Sequence, residues 1–236
     1  MRAAIGTNVL WALILMLLSV RVAYAGDDAV FFAGGQISGQ DNSYSIIGAM
    51  APLPGYTLGS GWAGRATVES LTYRYRSGSQ AIDGTAFGGA LSGGYQWSNA
   101  GGWGGLYAGP SFRYTTLSPD DPTNDARGAK ANLRLQAEGE ESLTANFKAN
   151  AIASYESFDD RAYWMRLRLL YRVSGTLYAG PEGVMQGDDT YHGWQTGAVL
   201  NGISLFGGSL GFDAGVRDTA GLPTSLYAGV EYGILF

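Results

Sequence analysis

Three arginines, Arg166, Arg168 and Arg172, recur at even spacing within the segment 161–173. In an extended strand this spacing puts all three on one face with Trp164 and Leu170. Tyr163, Met165, Leu167, Leu169, Tyr171 and Val173 then fall on the other face. A helix would scatter the guanidiniums around its circumference. A row of guanidiniums can line a passage and orient a polar solute. It can also fill a narrow interior with salt bridges, the commoner outcome because buried polar groups need partners. Glu69, Asp213 and Glu231 supply counter-charge for such a filling. With a turn over 174–176, Arg168 stands opposite Glu182, and opposite charges at a cross-strand pair stabilise a sheet. Arg166, Arg168, Arg172, Glu182, Asp213, Glu231 and Trp164 are therefore the candidate lining residues, with Trp164 able to stack on a sugar ring.

Other chemistries are poorly supplied. The chain has no cysteine and one histidine, His192. That excludes disulfide scaffolds, thiol catalysis and cysteine metal sites. Asp188 and Asp189 lie near His192, but no nucleophile elbow or metal-ligand spacing accompanies them. His192 reads as a polar strand-start residue, with an envelope lipid-modifying enzyme as the alternative. No catalytic residue, metal or cofactor is expected. Asp120-Asp121-Pro122-Thr123-Asn124-Asp125 has oxygen ligands of the kind calcium prefers without the EF-hand spacing, and reads as solvated loop. Two lysines (Lys130 and Lys148) and a formal net charge of −5 leave no basic patch for phosphates, so nucleic acid is not a partner.

The elements that must position these residues are strands. Of 236 residues, 37 are Gly and 30 aromatic, with 46% hydrophobic and 15% charged. No G-x-y period accompanies the glycine, and the apolar fraction is too high for disorder. The N-terminus carries Arg2, an apolar run from Val9 to Val20, and Ala23-Tyr24-Ala25. This is the layout of a secretory signal peptide cut between Ala25 and Gly26. The run falls short of the about 20 residues that a membrane helix needs. The chain thus divides into a leader, 1–25, and one β-domain, 26–236.

Period two dominates that domain. Strands are predicted over 29–38, 43–52, 61–76, 84–98, 102–117, 129–138, 142–156, 161–173, 176–186, 190–203, 208–217 and 224–236. The fold class is all-β: an antiparallel up-and-down transmembrane β-barrel of about 12 strands, with 10–14 tolerated. A tilted spanning strand needs about 9–11 residues, and most of these segments suffice. With both termini periplasmic, the connections 38–43, 76–83, 118–130, 156–160, 186–190 and 218–223 face outward. They hold ten of the 13 aspartates. The opposite connections are mostly short and rich in Gly and Ser, with Glu138–Ser142 the charged exception. Trp62, Trp97, Trp103 and Trp194, with tyrosines such as Tyr73, Tyr75, Tyr95, Tyr107, Tyr114, Tyr178 and Tyr191, are expected mostly in interfacial girdles. Tyr232, Ile234 and Phe236 share one face of the last strand, which resembles the C-terminal signal read by barrel-assembly machinery.

Several blocks, in order, resemble the cellulose biosynthesis protein BcsS family of proteobacteria. They are Ala29-Val-Phe-Phe-Ala-Gly-Gly35, Leu53-Pro-Gly55 before Gly61-Trp62, Gly94-Tyr-Gln-Trp97 and Leu106-Tyr-Ala-Gly-Pro110. Tyr178-Ala-Gly-Pro-Glu-Gly183, Gly187-Asp-Asp-Thr-Tyr-His-Gly-Trp194 and Thr196-Gly197 complete the match. The resemblance implies a non-enzymatic outer-membrane barrel accessory to cellulose (exopolysaccharide) biosynthesis or secretion. Its implied partners are outer-membrane lipid, the barrel-assembly machinery, and cellulose or the cellulose synthase export complex. A small porin-like channel is the alternative. Cellulose is neutral, so the arginine face is not obviously needed for it; this counts against a simple glucan pore and leaves a scaffold role open.

Overall fold

The computed structural model describes residues 29–39, 41–159 and 161–236. The leader and its Ala25–Gly26 junction lie outside the described residues. Twelve strands follow one another: β1 (Val30–Ser38), β2 (Asn42–Pro52), β3 (Gly61–Ser77), β4 (Gln80–Ser98), β5 (Gly102–Ser118) and β6 (Gly128–Ser142). Then come β7 (Phe147–Phe158), β8 (Tyr163–Ser174), β9 (Leu177–Gly187), β10 (His192–Leu205), β11 (Gly208–Thr219) and β12 (Ser225–Leu235). Each pairs antiparallel with its chain neighbours, and β1 pairs with β12, so the sheet closes. Closure removes the unpaired edges that an open sheet would expose.

The wall is inverted relative to a water-soluble barrel. On β8, Met165, Leu167, Leu169, Tyr171 and Val173 are 45–55% exposed, whereas Arg168 and Leu170 between them are 2% and 1% exposed. The apolar residues face outward and the charged ones inward, the arrangement of a barrel in lipid. No described helix is long and apolar enough to cross a membrane, which says nothing of a barrel that would cross with strands. Trp62, Tyr95 and Trp97 lie exposed on the outer wall, with Trp62 and Tyr95 in edge-to-face contact at 5.6 Å.

Two boundaries differ from expectation. The segment 138–142 is strand, because Gln136, Glu138 and Glu140 continue the alternation of β6 toward the interior. The turn comes later, over Leu143–Asn146, where the Thr144 hydroxyl accepts the amides of Asn146 and Phe147. The connection 76–83 shrinks to Gly78-Ser79 between β3 and β4, with Gly78 at φ 61°. Asp83 therefore belongs to β4; β11 and β7 also run on, to Thr219 and Phe158, so Asp218 is a strand residue and Glu156 is a β7 residue only 5% exposed.

Several tyrosines also turn inward. Tyr107 alternates with exposed Leu106 and Ala108, so it faces the interior at 4% exposure. Its hydroxyl meets Gln96 at 2.8 Å and Met50 at 3.2 Å. Leu58, from the connection between β2 and β3, packs on the Met50, Ala63 and Tyr107 cluster, and the Gly59 amide donates to Gln96. The same alternation carries Tyr73, Tyr75 and Tyr178 to the inner face rather than to a girdle.

Candidate functional site

The interior holds two charge networks built on strands with alternate inward residues. The first centres on Arg168. The register sets Arg168 directly opposite Glu182, and Nε lies 2.5 Å from Glu182 Oε2. Its Nη1 reaches Glu231 Oε1 at 2.5 Å, and Nη2 approaches Asp213 Oδ1 at 3.8 Å. One guanidinium thus ties β8 to β9, β11 and β12. Arg166 Nη1 donates to the second Glu231 oxygen at 3.2 Å. The remaining carboxylate oxygens are also used. Glu182 accepts from the Tyr227 hydroxyl at 3.2 Å, Asp213 from Gln36 at 3.3 Å, and Glu231 from Asn201 at 2.8 Å. Burying ions is costly unless geometry and extra hydrogen bonds satisfy them, and here most oxygens have a donor.

Space for this network comes from glycine. A Cβ at Gly229 would lie 2.6 Å from the Asp213 carboxylate, and one at Gly211 would lie 2.9 Å from Glu231 Cγ. These inward glycines on β11 and β12 make room for neighbouring acidic side chains.

The second network fills the sector between β2 and β7. Arg134 on β6 pairs with both Glu69 oxygens across the barrel, and its Nη2 lies 2.5 Å from Glu156 Oε1. Arg65 on β3 crosses the other way to Glu138 at 2.7 Å, and its guanidinium sits 4.7 Å from the Phe32 ring centroid. Arg113 Nη2 approaches Glu156 Oε2 at 3.5 Å. Tyr44, Glu69, Gly88, Arg113, Arg134 and Glu156 enclose a recess of about 40 Å³, enough for about three waters.

The structure brings together Arg166, Arg168, Glu182, Asp213 and Glu231. Glu69 belongs to the other network. Arg172 stands apart, four residues along β8 and so about 13 Å from Arg168. It is exposed, and its Nε donates to the Tyr178 hydroxyl at 2.9 Å. Trp164 is half-buried on the inner face, with the Arg166 guanidinium 5.8 Å from its ring. Tyr232 and Ile234 lie on the outer face of β12, and Phe236 exchanges backbone hydrogen bonds with Ala29 at the seam. The second network escapes a reading centred on β8. Its trace in the sequence is the alternation of Asn132, Arg134, Gln136 and Glu138 with Leu133, Leu135 and Ala137.

The remaining candidates are occupied locally. His192 is exposed on the outer wall at the start of β10, opposite Gly187. The Asp188 carboxylate accepts from Thr190 and Tyr191 of its own turn. Asp189 faces Arg161 at 3.4 Å. In the loop after β5, Asp120 pairs with Arg127 at 2.6 Å, and Asp121 accepts from Thr123 and Tyr75. Among the described residues, no group of three His, Cys, Asp or Glu side chains is placed to hold a metal.

Known structures share the architecture. The translocator domain of autotransporter NalP from Neisseria meningitidis superposes with a TM-score of 0.56 at 10% identity, over 98% of this chain and 96% of that one. The transport unit of autotransporter AIDA-I from Escherichia coli gives 0.52 at 9% identity, over 97% and 95%. The COG4313 outer membrane channel from Pseudomonas putida F1 gives 0.50 at 14%, over 91% and 97%. At such identities the likeness establishes the fold, a closed barrel of the outer-membrane kind. No curated protein sequence matches the chain. Residues 30–236, nearly all of the described chain, match the family of the cellulose biosynthesis protein BcsS, and the chain therefore belongs to that family.

Proposed function

We propose that this barrel is a non-enzymatic accessory of bacterial cellulose production, seated in the outer membrane, whose interior is fastened shut against a polymer. The observation that carries the reading is the set of ion pairs across the barrel. Arg168 spans from β8 to Glu231 on β12, and Arg134 and Arg65 join β6 and β3. Such chords cross the section through which a glucan chain would pass, and a neutral glucan offers no charge to replace them. The barrel then serves the pathway as a scaffold or docking element at the membrane. The outward position of His192, with neighbouring carboxylates engaged elsewhere, supports a role without catalysis. The outer-face Tyr232 and Ile234 with the terminal Phe236 are the residues we assign to recognition by the barrel-assembly machinery, and residues 1–25 to a leader cut after Ala25.

Deleting the gene and measuring cellulase-sensitive matrix tests the association, with loss or disorder of the matrix expected. A second reading, a small solute channel, draws on Glu231, whose side chain is 27% exposed within the lumen. Planar-bilayer conductance separates the two: a steady conductance of the wild-type barrel would sink the closed-interior reading.

A further inference from the structure

The hairpin of β3 and β4 reaches further than its neighbours. Pairing of β3 with β2 ends at Thr72, and pairing of β4 with β5 ends at Asp83. Tyr73–Ser77 and Gln80–Ile82 therefore project together at the mouth opposite the chain termini. The projection is held from both sides. On its outer face Arg74 pairs with Asp83 at 2.6 Å and with Asp41. On its inner face the Tyr75 hydroxyl donates to Asp121 of the loop after β5 at 2.9 Å.

That inner face carries a row of tyrosines. The Tyr73 and Tyr75 rings lie 6.1 Å apart and within 28° of parallel. The far end of the Tyr73 ring covers Gly84 of β4, where a Cβ would meet Cζ at 2.4 Å. Glycine there lets the ring lie close against the sheet. Deeper along the same face come Leu71 and, opposite it on β2, Tyr44, which is 37% exposed. Both border the recess that Glu69, Arg134 and Glu156 floor. No hydrogen bond among the described residues uses the Tyr44 or Tyr73 hydroxyl.

Aromatic rings beside a few polar groups in a concavity are the usual make-up of a small-molecule site. A pyranose with equatorial hydroxyls has apolar C–H faces for the rings and a rim of hydroxyls around them. The two uncommitted phenols can bond that rim. So can the Glu69 and Glu156 carboxylates, because each oxygen can accept twice. An acidic sugar would set its charge beside those carboxylates, which discriminates in favour of a neutral one.

We propose that Tyr44, Tyr73 and Tyr75 form a stacking platform for a neutral β-linked glucan, which docks at this mouth above the ion pairs rather than passing them. A β-linked glucan is a flat ribbon of such pyranoses, so neighbouring tyrosines can each take one ring. The choice of a glucan rests on the cellulose reading; the platform itself requires only a flat, neutral pyranose.

The test titrates the folded full-length barrel, in a detergent without a sugar headgroup, with cellohexaose and maltohexaose, read by calorimetry. Saturable binding of cellohexaose, several-fold tighter than of maltohexaose, is expected. Tyr73→Ala and Tyr75→Ala each weaken it by about five- to tenfold, the worth of one ring contact. Tyr73→Phe keeps the ring and most of the binding, and Tyr114→Ala, on the outer wall, changes nothing. Heat-modifiable gel mobility confirms that each variant is folded. Absence of cellohexaose binding, equal or tighter binding of maltohexaose, or undiminished binding by the folded double variant Tyr73→Ala, Tyr75→Ala would each overturn the platform. The cellulose reading fails separately, if deleting the gene leaves the matrix unchanged while the purified barrel still binds cellohexaose through these tyrosines.

Discussion

Arg168 and Glu182 face each other across β8 and β9, 2.5 Å apart, with side chains 2% and 1% exposed. This is the most deeply buried ion pair described in the barrel, and it anchors the first network. Removing one partner leaves a buried charge unpaired. Arg168→Met should therefore destabilise by about 3–5 kcal/mol, and Arg168→Met combined with Glu182→Gln should recover part of that loss. Denaturant unfolding of the refolded barrel, followed by heat-modifiable gel mobility, measures both. A single variant as costly as the pair would contradict the coupling.

If the chords of the second network hold the interior shut, as proposed, cutting them should open it. Arg65→Ala with Arg134→Ala removes the bridges to Glu138, Glu69 and Glu156. Single-channel recordings should then show a conductance that wild type lacks. An unchanged trace would mean that other residues fill the cross-section.

Gly229 should not tolerate a side chain. A Cβ there meets the Asp213 carboxylate at 2.6 Å, whereas Gly183, on the outer wall, has nothing within 4 Å. Gly229→Ala should cost about 1–3 kcal/mol, the usual range for overpacking, and Gly183→Ala should be nearly silent. Paired unfolding curves decide, and equal effects would refute the spatial argument.

Leu167 is 53% exposed at mid-strand on the outer wall. If that wall meets lipid, Leu167→Arg should destabilise the barrel by about 2–4 kcal/mol near the bilayer midplane. Folding into vesicles measures the cost. A neutral effect would place this face in water.

The loop between β5 and β6 should be acid-sensitive. Hydrogen bonds from Thr123 and Tyr75 hold the Asp121 carboxyl below its ordinary value. A carboxylate depressed on folding contributes its stabilisation above the unfolded pKa, and that contribution fades as pH falls through the folded one. Limited proteolysis of 119–127 should stay slow at neutral pH and accelerate below about pH 4. Tyr75→Phe should shift the onset upward.

Much of the architecture is written locally. Alternation along β8 separates Met165, Leu167 and Leu169 from Arg166 and Arg168 without knowledge of any other strand, because successive side chains leave a strand on opposite faces. The two-residue period also orders the twelve strands, and a short turn after Ser174 brings Arg168 opposite Glu182. At the end of β6 expectation failed because the turn was placed early. A charged run at 138–142 reads as a loop until Glu138 is seen to have Arg65 as its partner and Glu140 to have Lys148.

Contacts across the lumen are a different matter. Arg168 and Glu231 are 63 residues apart, and Arg134 and Glu69 are 65 apart. Which inward charges meet depends on strand tilt and stagger once the sheet has closed, and no local pattern encodes that. Strand number, the inner and outer faces and the Arg168–Glu182 register were therefore determined by the sequence alone. Which inward charges pair across the lumen, Arg168 with Glu231 and Arg134 with Glu69, was decided only by the tertiary structure, because it depends on distances between walls rather than along them.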